Sequence, residues 1–584
     1  MRKGVTTAAA TAAVFVQCAL GASTASAQSA YATSDARVKE LLAAVAPATT
    51  GATTSPDATG LQPAAAAAPT ESVTLGLEEA VALALERNLD IAVERLNPLT
   101  LDLSLASLRA TFLPTVNSTL GLNKTVDLPR NQLTGGNRVI NDLSTFNFGV
   151  AETLPWGGGS LALGWQNRRL ESTNSFNTFN PQFNTTLTGS LIQPLLRNRQ
   201  TDSLRTQLRV TQINRNISEL QLRTTVTNTL AQVRSAYWDL VYAIDSVIVA
   251  RRSLELAEKL LDDNKIRVEV GTMAPIDVVQ AEAEVATRNQ VLAQVEATAR
   301  TAELSLKRLI VGGTDDPRWR ARLSPTDRPS FKAEGVDIEA ALRAALDKRT
   351  DLAESRRTLE INDLSVRLLR NQKLPAADLV ASYGLQGIGG TQFIRDSNLG
   401  GQITGTIPGG YGDALSWMNR GDYPSWNVQM QFSYPIGQSA ADANYARARL
   451  NVRQTQAQMK ALELQIATEV TNAALQVEST LKQVAAATAA RELAQRRLEA
   501  ESSKFEVGLS TNFFVVQAQR DLSDAQNAEL RSQLDYRKSL VDFERVQETS
   551  LAGAGITVVA AGGIANQPRA NAAGAGGGGG GGGA

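Results

Sequence analysis

Arg267 opens the stretch RVEVGTMAPIDVVQAEAEV, and Lys504 opens KFEVGLSTNFFVVQAQRDL. Gly271 and Gly508 lie 237 residues apart, as do Val278 and Val515, so one motif is used twice at a rigid spacing. A second pair has its own offset. LEEAVALALERNLDI from Leu77 and IEAALRAALDKRTDL from Ile338 are 261 apart, and Asp90 to Asp351 and Pro114 to Pro375 keep that distance. Such a chain is expected to fold as two related repeats, residues 72–312 and 333–551, around a Gly-, Pro- and Asp-rich linker at 313–332. The second repeat is 24 residues shorter between the two markers (261 minus 237).

Each repeat reads helix, strands, long helix, the Glu-Val-Gly break, helix. Val226, Leu230, Val233, Tyr237, Leu240 and Ile244 step by four and three residues alternately, the seam of a coiled coil. From Leu195 to about Val270 neither proline nor glycine interrupts, and Ala441 to Val507 is similar in kind. At about 1.5 Å per residue such helices reach on the order of 110 Å. They cannot wrap a globular core and must pack sideways on other helices.

The strand segments alternate instead. Trp426, Val428, Met430, Phe432 and Tyr434 point one way, and Asn427, Gln429, Gln431 and Ser433 the other. Leu379, Ala381, Tyr383 and Leu385 repeat this, as do Phe146, Phe148 and Val150, then Leu161, Leu163 and Trp165. A soluble sandwich accommodates one such strand, but the same alternation suits a membrane barrel, apolar toward lipid and polar toward the lumen. Trp156, Trp165, Trp417 and Trp426 sit in or beside these strands, as interfacial aromatics do. One chain holds too few strands to close a barrel, and open edges are not tolerated in lipid, so several chains must share it.

Composition removes other classes. There is no histidine, so His-based triads and metal centres are excluded. Cys18 is the only cysteine, which rules out a disulfide or a zinc knuckle in the rest of the chain. The 58 basic and 58 acidic residues balance, which argues against a nucleic-acid partner. Neither GxxxxGK[ST] nor GxSxG occurs. Arg2, Lys3, the uncharged run Val5–Leu20 and Ala25-Ser26-Ala27 read as a signal peptide over residues 1–27. Gln17 suits lipoprotein processing at Cys18 poorly, and the mature chain is expected to start near Gln28. Residues 28–71, rich in Ala, Thr and Pro, and the Gly/Ala-rich tail 552–584 read as flexible.

An export signal, two rounds of helix–strand–strand–helix, and a Val-Gly break followed by Val-Val-Gln-Ala resemble the TolC family of outer membrane efflux proteins. The resemblance covers about residues 72–551. It implies an α+β membrane protein: a homotrimer with one shared β-barrel in outer membrane lipid, continued by a long periplasmic α-helical coiled-coil barrel. The function implied is that of a passive exit duct in a tripartite efflux or type I secretion system, not an enzyme and without cofactor. A periplasmic adaptor protein and an inner-membrane transporter are the implied partners.

The resemblance also assigns the repeated motif. Each Val-Gly break would be the periplasmic tip of a helical hairpin, with Gly271 and Gly508 taking the turn and Pro275 starting a return helix. TolC-like tips often carry aspartates in the second copy, but here those positions are Phe514 and Gln517. Asp277 is the acid kept in the first copy. It either forms the acidic group of the entrance or lies near the return helix's N-terminus as a favourable charge. Phe513 and Phe514 offer apolar closure instead. Trp156, Trp165, Trp426 and Tyr434 are the membrane-interface aromatics.

Two strands per repeat are usual, here about 115–125 and 184–193, then 377–387 and 426–434. An additional hairpin, 145–154 and 160–168, either widens the barrel or stands outside the membrane; the expectation is a twelve-stranded trimeric barrel with the hairpin beside or above it. The alternative function is a periplasmic coiled-coil adaptor or scaffold, which would neither duplicate both halves nor need lipid-facing strands.

Overall fold

A computed structural model describes residues 72–129, 137–328, 335–396, 402–437 and 439–549, with two short strands beyond them. The expected signal peptide, the 28–71 segment and most of the Gly/Ala-rich tail lie outside the described residues. In chain order come β1 (Ser72–Leu75), α1 (Leu77–Arg87), α2 (Leu89–Ala110), β2 (Thr115–Asp127), β3 (Val139–Thr153), β4 (Ser160–Ser172) and β5 (Phe179–Pro194). Then follow α3 (Ser203–Glu269), α4 (Pro275–Ile310), α5 (Pro317–Arg320), β6 (Arg322–Pro325), α6 (Ile338–Lys348) and α7 (Thr350–Gln372). The last are β7 (Ala376–Arg395), β8 (Ile403–Ile407), α8 (Tyr411–Arg420), β9 (Pro424–Ser433), α9 (Ala440–Glu506), α10 (Asn512–Val546), β10 (Ile556–Val559) and β11 (Gly563–Asn566). Antiparallel β10 and β11 fall in the segment expected to be wholly flexible, where Ile556, Thr557, Val558 and Val559 are β-branched and favour strand.

Two compact units are distinguishable, one of residues 99–215 and 359–454, the other of 72–98, 216–358 and 455 onward. Their boundaries fall inside α2, α3, α7 and α9. Helices α3 and α9 each run 67 residues. No proline or glycine interrupts either, and each spans about 100 Å at about 1.5 Å per residue.

The helical unit buries the coiled-coil seam. Val226, Leu230, Val233, Tyr237 and Leu240 are essentially inaccessible. Parallel strands β1 and β6 close over part of this core, Ser72 facing Arg322 and Leu75 facing Pro325. The Tyr237 hydroxyl donates to Asp327 Oδ2 at 2.8 Å and lies 3.1 Å from the Leu75 carbonyl. Burial is the main cause that pushes its pKa up to about 12, with the Asp327 carboxylate adding to it. The Leu75 carbonyl accepts from the Thr326 N–H at 3.1 Å and so keeps a partner in this core.

The other unit is one antiparallel sheet in the order β2-β3-β4-β5-β7, with β9 beside the first half of β7 and β8 beside its far end. Here the structure corrects the strand plan. The 145–168 hairpin, expected beside or above the barrel strands, is β3 and β4 and lies between β2 and β5 in the same sheet. Thr115 through Asp127 pair with Ala151 through Val139, and Ser160 through Leu170 pair with Ile192 through Gln182. The physical reason is the matched alternation of these strands, which lets both backbone edges of the hairpin be satisfied without placing a side chain on the wrong face.

Candidate functional site

Both Val-Gly breaks close in one way. At the end of α3, Gly271 takes φ +79°, its N–H bonds the Val268 carbonyl at 3.0 Å, and Thr272 N–H bonds Arg267 at 2.9 Å. At the end of α9, Gly508 takes φ +76°, with Gly508 N–H to Phe505 at 3.1 Å and Leu509 N–H to Lys504 at 2.8 Å. This six-to-one and five-to-two pairing needs a left-handed residue, which glycine supplies without strain. A Cβ would meet nothing within 4 Å at either site, so backbone conformation alone demands glycine.

The return helices start differently. Pro275 opens α4 behind Ala274, and Asp277 sits in that first turn. Asn512 opens α10, and its side chain joins the two hairpins. Asn264 Nδ2 donates to Asn512 Oδ1 at 3.0 Å, and Asn512 Nδ2 reaches the Asp277 carbonyl at 3.4 Å. Both asparagines are buried. Leu260, Met273, Phe505, Val515 and Val516 pack around them. Arg267 stacks on Phe505 at 4.5 Å, a cation over a ring face. Phe513 and Phe514 stand edge to face at 5.6 Å and remain exposed. Gln517 donates to Asp521 on its own helix. Val270, Ile276, Val279, Val507 and Leu509 are also exposed, giving both tips an apolar surface.

Farther along the return helices lies a cluster that sequence reasoning missed. Glu284 of α4 is 3% exposed, with Arg288 Nε at 2.7 Å from one oxygen and Arg520 Nε of α10 at 3.0 Å from the other. Burial alone would raise the Glu284 pKa, but the two guanidiniums outweigh it and hold the carboxyl below its ordinary value. One signal was available. Asp521 lies 237 residues after Glu284, so the repeat offset places an acid at both positions.

The sheet has two unlike faces. Val116, Val150, Leu163, Gly189, Tyr383 and Trp426 form one transverse row across six strands. The neighbouring row on the opposite face reads Asn117, Gly149, Gly164, Thr188, Gly384 and Ser425. The apolar face is open, with Leu122 at 88% exposure and Trp426 at 74%. Trp165 lies on it edge to face with Phe146. Trp156 is exposed in the β3–β4 turn, and Tyr434 is exposed just past β9, eight residues from Trp426. Eight extended residues span about 27 Å, near the height of a barrel's apolar band.

Helix α8, also unforeseen, lies on the apolar face above that band. It starts at Gly410, whose N–H bonds the Asp413 carboxylate, and stops at Gly421 with φ +68°. It covers a polar knot. Trp165 Nε1 donates to Thr185 at 2.9 Å, Thr185 donates to Asn167 Oδ1 at 2.7 Å, and the Tyr411 hydroxyl donates to that same oxygen at 2.6 Å. Trp417 of α8 carries Arg420 over its ring at 5.1 Å and leans on Tyr423.

The model of the outer membrane efflux protein family matches residues 80–312 and 341–546. Outer membrane protein TolC of Escherichia coli (strain K12) is 23% identical over 325 residues, 55% of this chain and 61% of that protein. The match thus spans less than two thirds of that relative's length. A membrane protein from Pseudomonas aeruginosa has a solved structure that superposes with TM-score 0.58 at 17% identity, over 81% of this chain and 90% of its own. The CmeC outer membrane channel of Campylobacter jejuni gives TM-score 0.56 at 16% identity, over 81% and 85%. At these identities the structural likeness is one of fold.

Proposed function

This chain belongs to the outer membrane efflux protein family, and on that premise we infer that it is the exit duct of a tripartite efflux or type I secretion system. Its place is the outer membrane, with a periplasmic extension. Three copies share one barrel, α3, α4, α9 and α10 line a periplasmic tunnel, and the hairpin tips at Gly271 and Gly508 form its gated mouth. The two related repeats supply six such tips per trimer. A periplasmic adaptor and an inner-membrane transporter complete the path, and neither a cofactor nor a reaction is part of it. The periplasmic adaptor alternative is not favoured, because the family matched over most of the chain is that of the channels.

The observation that carries this reading is the sheet's continuous exposed apolar face opposite a polar one, with every residue of the end strand β9 exposed. Water-soluble monomers rarely leave a sheet face this apolar uncovered, and in lipid the edges must find partners. The apolar tips, exposed at Val270, Ile276, Leu509 and Phe513, suit docking to a helical adaptor. Fractionation should find the protein in the outer membrane, released by detergent alone, with a mass of three chains. A soluble monomer would sink the reading.

Asp277 tests the mouth. Charge reversal, Asp277→Arg, should change single-channel conductance if the carboxylate lines the entrance, and should lower helix stability only slightly, by about 0.3–1 kcal/mol. Unchanged currents would leave Asp277 as a favourable charge in the first turn of α4 and shift closure to Phe513 and Phe514.

A further inference from the structure

We propose that the β3–β4 hairpin is part of the barrel wall, so that each subunit contributes six spanning strands and three subunits close a barrel of eighteen. This rests on the trimeric reading above. The partner at each seam is a second copy of this chain, β2 of one subunit pairing with β9 of the next.

Three observations carry the proposal. First, the hairpin is bonded on both sides. β2 pairs with β3 along the whole of β2, and β4 pairs with β5 from Ser160 to Leu170. Strands β2 and β5 never pair directly and stand three strand spacings apart, about 14 Å. A four-strand wall would require them to be adjacent. Second, the hairpin keeps phase with its neighbours. Val150 and Leu163 continue the apolar row from Val116 to Trp426, while Asn147 and Gln166 continue a polar row from Thr119 to Thr186 and Gln386. A hairpin standing in water has no need of one lipid-type face in register with the spanning strands. Third, the free edges are β2 and β9. Every residue of β2 except Gly121 is exposed, and every residue of β9 is exposed. Among the described residues no strand pairs with those outer edges, and the bilayer offers their backbone donors and acceptors no partner.

The consequence concerns transport. Barrel diameter grows roughly linearly with strand number, so eighteen strands in place of twelve widen the pore by about 1.5-fold and its cross-section by about 2.2-fold. The barrel exit then cannot be the narrowest point. Selection and closure fall to the helical mouth, and the duct accepts bulkier hydrated cargo than a twelve-stranded exit would.

Disulfide trapping decides this. The only native cysteine, Cys18, is replaced by serine to give a clean background. One set of variants joins Thr119→Cys on β2 with Asn427→Cys, Gln429→Cys or Gln431→Cys on β9, all on the polar face. A second set joins Thr119→Cys with Thr186→Cys, Thr188→Cys or Ser190→Cys on β5. A disulfide needs Cα atoms within about 7 Å. Oxidation in isolated outer membranes should give covalent dimers and trimers from at least one member of the first set, and no bond from the second. An efficient intrachain bond in the second set, in protein of trimeric mass, would overturn the eighteen-strand wall and leave the channel reading intact. Trimeric mass with no β2–β9 bond in any register would also overturn it. A monomer without interchain bonds would overturn both readings together.

Discussion

Gly387→Ala should unseat α8 and destabilise the sheet unit by about 3 kcal/mol or more. A Cβ at Gly387 would fall 1.9 Å from the Ala414 carbonyl oxygen and 2.8 Å from the Met418 nitrogen. Both are backbone atoms, so no rotamer change relieves the clash and the helix itself must lift. Overpacking against movable side chains costs about 1–3 kcal/mol, and here the rigid backbone takes the strain. Lifting α8 also removes Tyr411 from Asn167, leaving the Asn167 and Thr185 pair on the apolar face with one hydrogen bond fewer. Losing that one hydrogen bond adds about 0.5–1.5 kcal/mol.

Neighbouring glycines provide the controls. At Gly389 the added Cβ would lie 2.4 Å from the Gly410 oxygen, so Gly389→Ala should reproduce the defect. At Gly412 nothing lies within 4 Å, and Gly412→Ala, inside α8, should be neutral or slightly stabilising. The measurements are the denaturation midpoint of detergent-purified protein and the rate of tryptic cleavage after Arg420, at the end of α8. Unchanged midpoint and cleavage in Gly387→Ala would refute the seating of α8 on these glycines.

The helical tips were legible in the sequence because their cause is local. A left-handed turn after a long uninterrupted helix calls for glycine, and both Gly271 and Gly508 adopt it. The amphipathic strands were legible because alternation with period two is also local, and Phe148, Leu163, Tyr383 and Trp426 do share one face. Strand order was not. Whether β2 pairs with β5 or with β3 is decided by which edges meet, and alternation is the same in either case. Helix α8 escaped notice because its seat is Gly387 and Gly389, more than twenty residues earlier, on a strand whose glycines read only as weak strand formers. Glu284 was hidden for a similar reason. It sits among Glu282 and Arg288 on what reads as a solvated helix face, and its second partner, Arg520, is 236 residues away.

That pair sets the remaining large effect. Glu284→Ala should weaken the joining of α4 to α10 by about 3–5 kcal/mol, the range for removing one member of a buried ion pair, with the figure tempered by the 48% exposure of Arg520. The carboxylate joins two guanidiniums, and without it Arg288, largely buried, loses its ion-pair partner while Arg520 keeps only the Coulombic attraction of Asp524. The sign with pH follows from the pKa direction. Glu284 is held below its unfolded value of about 4.5. Its stabilisation is therefore fully present above about pH 4.5 and disappears as pH falls through the lower, folded value. Wild-type thermal midpoints should drop in that acid window, and the variant should show a shallower drop from a lower starting point. A double-mutant cycle with Arg520→Ala isolates the pairwise part. Glu284 lies thirteen residues beyond Gly271, about 20 Å up the return helix, so loosening it frees the whole lower hairpin. Larger or more frequent openings in planar bilayers should accompany the stability loss. A variant with a wild-type midpoint, a wild-type acid profile and wild-type currents would mean that the three charges merely share a crowded surface and tie nothing together.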